Sequence, residues 1–85
     1  MRIVFMGNPA FAIPTLKTIL TSTHELAAVV SNPPKPMGRG QRLRHTAVGS
    51  YAVEHDLSVI PVEDTNSDSF ITELKALNPD IFVVV

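Results

Sequence analysis

The 85-residue sequence has no cysteine. A disulfide framework, a thiolate nucleophile and a Cys-ligated zinc are thereby excluded. No apolar run exceeds five residues (26–30 and 81–85), which is too short for a membrane span. The apolar run over residues 3–6 is shorter than a secretory h-region, and Gly7-Asn8-Pro9 interrupts it. The expected compartment is the cytoplasm. The three histidines, His24, His45 and His55, share no ligand spacing, so no metal site is expected. No serine lies in a Gly-x-Ser-x-Gly elbow.

Apolar residues make up 45% of the chain and charged residues 18%, so it is not a disordered polyelectrolyte, and its length allows at most one small domain. The net charge of −1 hides an asymmetry. Residues 1–45 hold six Lys/Arg against Glu25, whereas residues 46–85 hold Lys75 against seven acids. Four of the seven basic residues fall between Lys35 and Arg44, a stretch without any acid. That stretch is the first candidate for a polyanion contact. The scattered acids after Glu54 read as a solvated surface rather than a catalytic pair.

Strands and helices alternate along the chain. Residues 2–6 and 81–85 read as strands apolar on both faces, as in the middle of a parallel sheet. Residues 26–30 and 58–60 read as two more strands. After Gly7-Asn8-Pro9 a helix is predicted, with Ala12, Ile13, Leu16, Ile19 and Leu20 on one side and Pro14 in its first turn. Thr46 is placed to cap a short helix through His55, which Gly49 weakens by roughly 1 kcal/mol relative to alanine. Asn66 or Ser67 caps a third helix, with Phe70, Ile71, Leu74 and Leu77 as its buried stripe and Asn78-Pro79 as its stop. This spacing implies right-handed crossovers and an α/β, Rossmann-like parallel sheet with flanking helices, of probable order third-second-first-fourth. The last strand is then an apolar edge, which predicts an incomplete sheet and a fragment of a longer protein rather than a naturally short domain.

Ligands of open parallel sheets bind outside the carboxyl ends of the strands, where the order switches direction. Gly7-Asn8-Pro9 is one wall of that crevice. It has one glycine, too few for a dinucleotide turn, and no Lys-Ser/Thr pair for a P-loop. The turn either only starts a helix or lines a crevice without gripping phosphate. Residues 31–45 read as a loop of about fifteen residues; loops this long in compact domains are usually functional or disordered. Gly38 and Gly40 flank Arg39 and leave its guanidinium unobstructed for phosphate, with Lys35, Gln41 and Arg42 beside it. The loop is either a solvated face or a nucleic-acid finger. No aromatic residue lies between Ser31 and Ala47 to stack bases.

Three segments carry a family resemblance: MRIVFMGNPAFAIP (1–14), VSNPPKPMGRGQRL (30–43) and LNPDIFVVV (77–85). In order and spacing they resemble the amino terminus of the methionyl-tRNA formyltransferase family. The Pro-x-x-Pro-x-Gly-Arg-Gly loop is the most specific of them. The resemblance implies a Rossmann-like catalytic domain, of which residues 1–85 are the amino-terminal portion, followed by a carboxyl-terminal barrel domain. It implies transfer of a formyl group from 10-formyltetrahydrofolate to the amino group of methionine on initiator tRNA. No metal, no membrane partner and no oligomerisation of the parent are expected. By this match Arg39 is the leading tRNA contact, with Arg42, Gln41, Lys35, Gly38 and Gly40 in the same loop.

The chain departs from the family at Asn8, usually Thr, at Ala10, usually an acid, and at Thr23, usually Gly. A β-branched residue disfavours the left-handed conformation, so the first helix must close differently. The family's catalytic Asn-x-His segment and later Asp are absent. Catalytic residues are expected beyond Val85, and residues 1–85 are expected to be inactive by themselves. Two alternatives stay open: a folate-dependent formyltransferase for a small amine substrate, and a non-catalytic RNA-binding module using residues 35–44.

Overall fold

The computed structural model describes residues 1–37, 40, 42–63 and 66–85. The chain runs β1 (Arg2–Met6), a 3-10 turn (Ala10–Ala12), α1 (Ile13–Thr21), β2 (Glu25–Ser31), β3 (Lys35–Met37), β4 (Arg42–Arg44), α2 (Ala47–Glu54), β5 (Val59–Pro61), α3 (Asp68–Leu77) and β6 (Ile81–Val84). Four strands form one parallel sheet in the order β5-β2-β1-β6. These are the four expected strands, third, second, first and fourth in turn. The difference lies in β3 and β4, a separate antiparallel pair where a loop was expected.

Strand β1 holds the sheet together because its side chains alternate between two apolar layers. Ile3 and Phe5 pack with Ala12, Leu16, Ile19, Val29, Val48 and Ala52 beneath α1 and α2. Val4 packs with Val30 and Phe70 beneath α3. Val4 and Phe5 are wholly buried. Leu20 is partly exposed, because it sits about 100° around α1 from Ile19 and off the sheet-facing side.

The expected stripe on α3 is buried only at Phe70; Leu74 and Leu77 are half-buried, and Ile71 is exposed. The cause is the end of the sheet. Strand β6 pairs with β1 on one side only, and Ile71 and Phe82 border an open groove beside it. Phe82 is 45% and Val84 71% exposed. No helix among the described residues is long and apolar enough to cross a membrane.

Local signals set the helix ends. Pro14 lies in the first turn of α1, where the N–H it lacks would have no intrahelical acceptor. Thr23 is spared the left-handed conformation: α1 closes at Ser22 in extended backbone, whose N–H and hydroxyl both donate to the Ile19 carbonyl. Ser67, rather than Asn66, caps α3 by accepting from the Phe70 N–H. Asn78 ends that helix with φ 50°.

Arg2 is used at the amino ends of the strands. Its Nε donates to the Leu77 carbonyl (2.9 Å), its Nη1 to Glu25 Oε1 (2.9 Å) and its backbone N–H to Asp80 Oδ2 (2.7 Å). One side chain thereby joins β1 to the start of β2 and to the end of α3, satisfying a carbonyl that the helix leaves open.

Two substitutions test these ends. Asn78→Val forces a β-branched residue into the left-handed region and is expected to lower unfolding stability by about 1–2 kcal/mol, while Asn78→Gly does not. Gly49→Ala, favourable by helix propensity alone, places a Cβ 3.1 Å from the Thr46 capping oxygen. Thr46 is also held by Ser31, so it cannot yield; a net loss of about 1 kcal/mol is expected in denaturant titrations.

Candidate nucleic-acid interface and crevice

The strands of the main sheet are parallel, so their carboxyl ends reach one rim. There the order switches between β1 and β6, and an open crevice of about 180 Å³ lies between Gly7-Asn8, Ser31-Asn32 and Val84-Val85. The Gly7 N–H donates to the Val30 carbonyl (3.1 Å) and the Val85 N–H to the Met6 carbonyl (3.0 Å). A Cβ at Gly7 would stand 3.3 Å from both Ala12 and the Phe5 ring, so the turn passes where a side chain would collide. Pro9, the third residue of the expected wall, precedes the 3-10 turn in extended backbone.

A directed chain of hydrogen bonds borders this crevice. Asn8 Oδ1 accepts from the Asn32 N–H (2.8 Å) and from Ser31 Oγ (2.9 Å). A backbone N–H only donates, so the amide orientation of Asn8 is fixed. Ser31 is 3% exposed, and its one hydroxyl proton goes to Asn8. Its contact with Thr46 Oγ1 must therefore receive the Thr46 proton. Thr46 Oγ1 in turn accepts from the Gly49 N–H (2.9 Å), capping α2. The sequence identified Thr46 as a cap and Asn8 as a wall. Their link through Ser31 spans 15 and 23 residues and has no local signal.

The basic stretch is an arm rooted at this crevice. Strands β3 and β4 pair antiparallel with Lys35 opposite Arg44, Pro36 opposite Leu43 and Met37 opposite Arg42. The proline-rich composition predicted a loop. A three-residue ladder tolerates Pro36, which lacks only an N–H, at a two-stranded margin. Gly40 adopts φ +82°, a region that favours glycine. Gly38, Arg39 and Gln41, three of the six candidate contacts, lie outside the described residues. Lys35 and Arg44 are exposed, and Leu43 is 69% exposed. The one ion pair among the described residues joins Arg2 to Glu25, so Lys35 and Arg44 face each other as like charges without an acid. Such a pair is unfavourable in isolation and becomes favourable beside an anion.

The histidines are dispersed. His24 meets the Met1 amine, and His55 stacks on Tyr51 at 4.0 Å. No group of three His, Asp or Glu capable of holding a metal occurs among the described residues.

No family model matches the chain. Curated relatives match it from end to end. It is 49% identical over 85 residues to the methionyl-tRNA formyltransferase of Pseudomonas paraeruginosa, 45% to that of Lachnospira eligens and 39% to that of Flavobacterium johnsoniae. In each case the whole chain is covered, but only 27% of the relative. The resemblance seen in three motifs thus extends over all 85 residues, and the chain is similar to the amino-terminal part, about a quarter, of the methionyl-tRNA formyltransferases.

Proposed function

We propose that this chain is the amino-terminal portion of the catalytic domain of a cytoplasmic enzyme of translation initiation. That enzyme transfers the formyl group of 10-formyltetrahydrofolate to the amino group of methionyl-initiator tRNA. The observation that carries this reading is the end-to-end similarity to relatives bearing that name. The arm supports it: a basic, acid-free hairpin rooted beside a crevice suits a phosphate backbone next to a reacting group.

The division of labour follows from the chemistry. Formyl transfer needs a neutral attacking amine, donors for a tetrahedral oxyanion and a route for the departing proton. Residues 1–85 hold no Asn-x-His segment, and the catalytic set is assigned to chain beyond Val85. The crevice of about 180 Å³ is smaller than the roughly 300–1,000 Å³ of small-molecule pockets. Its residues therefore fit one wall of a folate site. Because Asn8 Oδ1 is already engaged twice, Asn8 offers that wall only its amide N–H donors. When bound, the folate supplies the formyl carbon. This chain positions the RNA through its arm, where Arg39, Arg42, Gln41 and Lys35 meet the acceptor end and Gly38 and Gly40 give Arg39 room.

In the full-length protein, Arg39→Ala is expected to raise the KM for methionyl-tRNA about tenfold or more, the scale of a charged hydrogen bond, with little change in folate binding. Arg39→Lys rescues it only in part, since lysine lacks the guanidinium fork. Each lost phosphate contact should flatten the log–log salt dependence of RNA binding by roughly 0.7–0.9. An unchanged slope places Arg39 off the RNA.

A further inference from the structure

We infer that Asn8 is a positioning residue for the basic arm. The hydrogen-bond chain ending on its Oδ1 is a clasp that closes the arm at its base. The arm leaves the core at Asn32 and rejoins it at Thr46. Asn8 Oδ1 takes the Asn32 N–H at 2.8 Å. Thr46 is bound to Ser31, whose hydroxyl donates to the same Oδ1. Both roots of the arm thus converge on one oxygen of the crevice wall, and the Asn8 carbonyl adds a bond from the Val48 N–H at 3.1 Å.

The proton order makes the clasp cooperative. The Gly49 N–H donates to Thr46, Thr46 donates to Ser31, and Ser31 donates to Asn8. Every hydroxyl both gives and receives, so each bond polarises the next. Ser31 is buried, and because Asn8 Oδ1 can only accept, its proton goes there and not to Thr46. The arm itself presents exposed residues, Lys35, Pro36, Leu43 and Arg44. These four residues make no buried contact, so the bonds at the base help to set its direction. The consequence for RNA rests on the proposed tRNA reading; the clasp itself does not.

The test uses the full-length protein. Asn8→Leu keeps approximate size and removes the acceptor; Ser31→Ala removes the middle of the chain; Asn8→Asp keeps an oxygen that accepts both bonds. Hydrogen exchange read by mass spectrometry reports the clasp without RNA. Asn8→Leu and Ser31→Ala are expected to deprotect the segment from Asn32 through Arg44 while β1 and β2 stay protected, and Asn8→Asp to restore protection. Binding of uncharged initiator tRNA is expected to weaken about five- to tenfold in Asn8→Leu. Added to a variant in which Lys35, Arg39, Arg42 and Arg44 are all alanine, Asn8→Leu should weaken it no further. Unchanged exchange in the arm, or a tRNA loss fully additive to that of the arm variants, overturns the proposal. If the four-alanine arm variant leaves tRNA binding untouched, the RNA reading is in error, and the exchange result still decides the clasp.

Discussion

Burial of β1 on both faces is the constraint on which the rest of the molecule depends. Val4 and Phe5 reach no solvent, so β1 must lie between two neighbours and between two helical layers. Parallel pairing with β2 and β6 then brings the carboxyl ends of all three strands to one rim. The turn at Gly7, the polar end of β2 at Ser31 and the backbone of Val85 meet there because the core leaves them no other place. At the opposite rim Arg2 gathers Glu25, Leu77 and Asp80.

That geometry sorts the charges by role. Arg2 belongs to the basic half of the chain, yet its guanidinium is spent on the fold at the rim away from the crevice. Lys35 and Arg44 lie on the arm, opposite each other and without an acid partner among the described residues. Two like charges across a short ladder oppose the hairpin they sit on. A polyanion placed between them would turn that repulsion into attraction, which is what the proposed RNA contact would use. The surface ion pair of Arg2 with Glu25 adds little by comparison, since both side chains are partly in water.

Much of the fold was legible because local signals and core pattern agreed. Unbroken apolar runs marked β1 and β6, Thr46 and the Asn66-Ser67 pair marked helix starts, and Asn78-Pro79 marked a helix end. The hairpin was not legible, since three prolines and two glycines within a short basic stretch have the composition of a loop. Only its register reveals the pairing of Lys35 with Arg44. Nor did periodicity anticipate the exposure of Ile71: the stripe on α3 is continuous in sequence, but the sheet beneath it stops at β6. At the site, the wall and the basic stretch were visible as motifs. The Asn8–Ser31–Thr46 chain was not, because it depends on three residues brought together only by the pairing of β1 with β2 and the docking of α2.

The proposed contact of the arm with the acceptor end of initiator tRNA is tested most directly by photo-crosslinking. A photoreactive nucleotide near the 3′ end of the tRNA, bound to the full-length protein, would be mapped by mass spectrometry. Crosslinks concentrated in residues 35–44 are the predicted result. Crosslinks confined to the acidic second half of the chain, or to regions beyond Val85 with none in the arm, would contradict it.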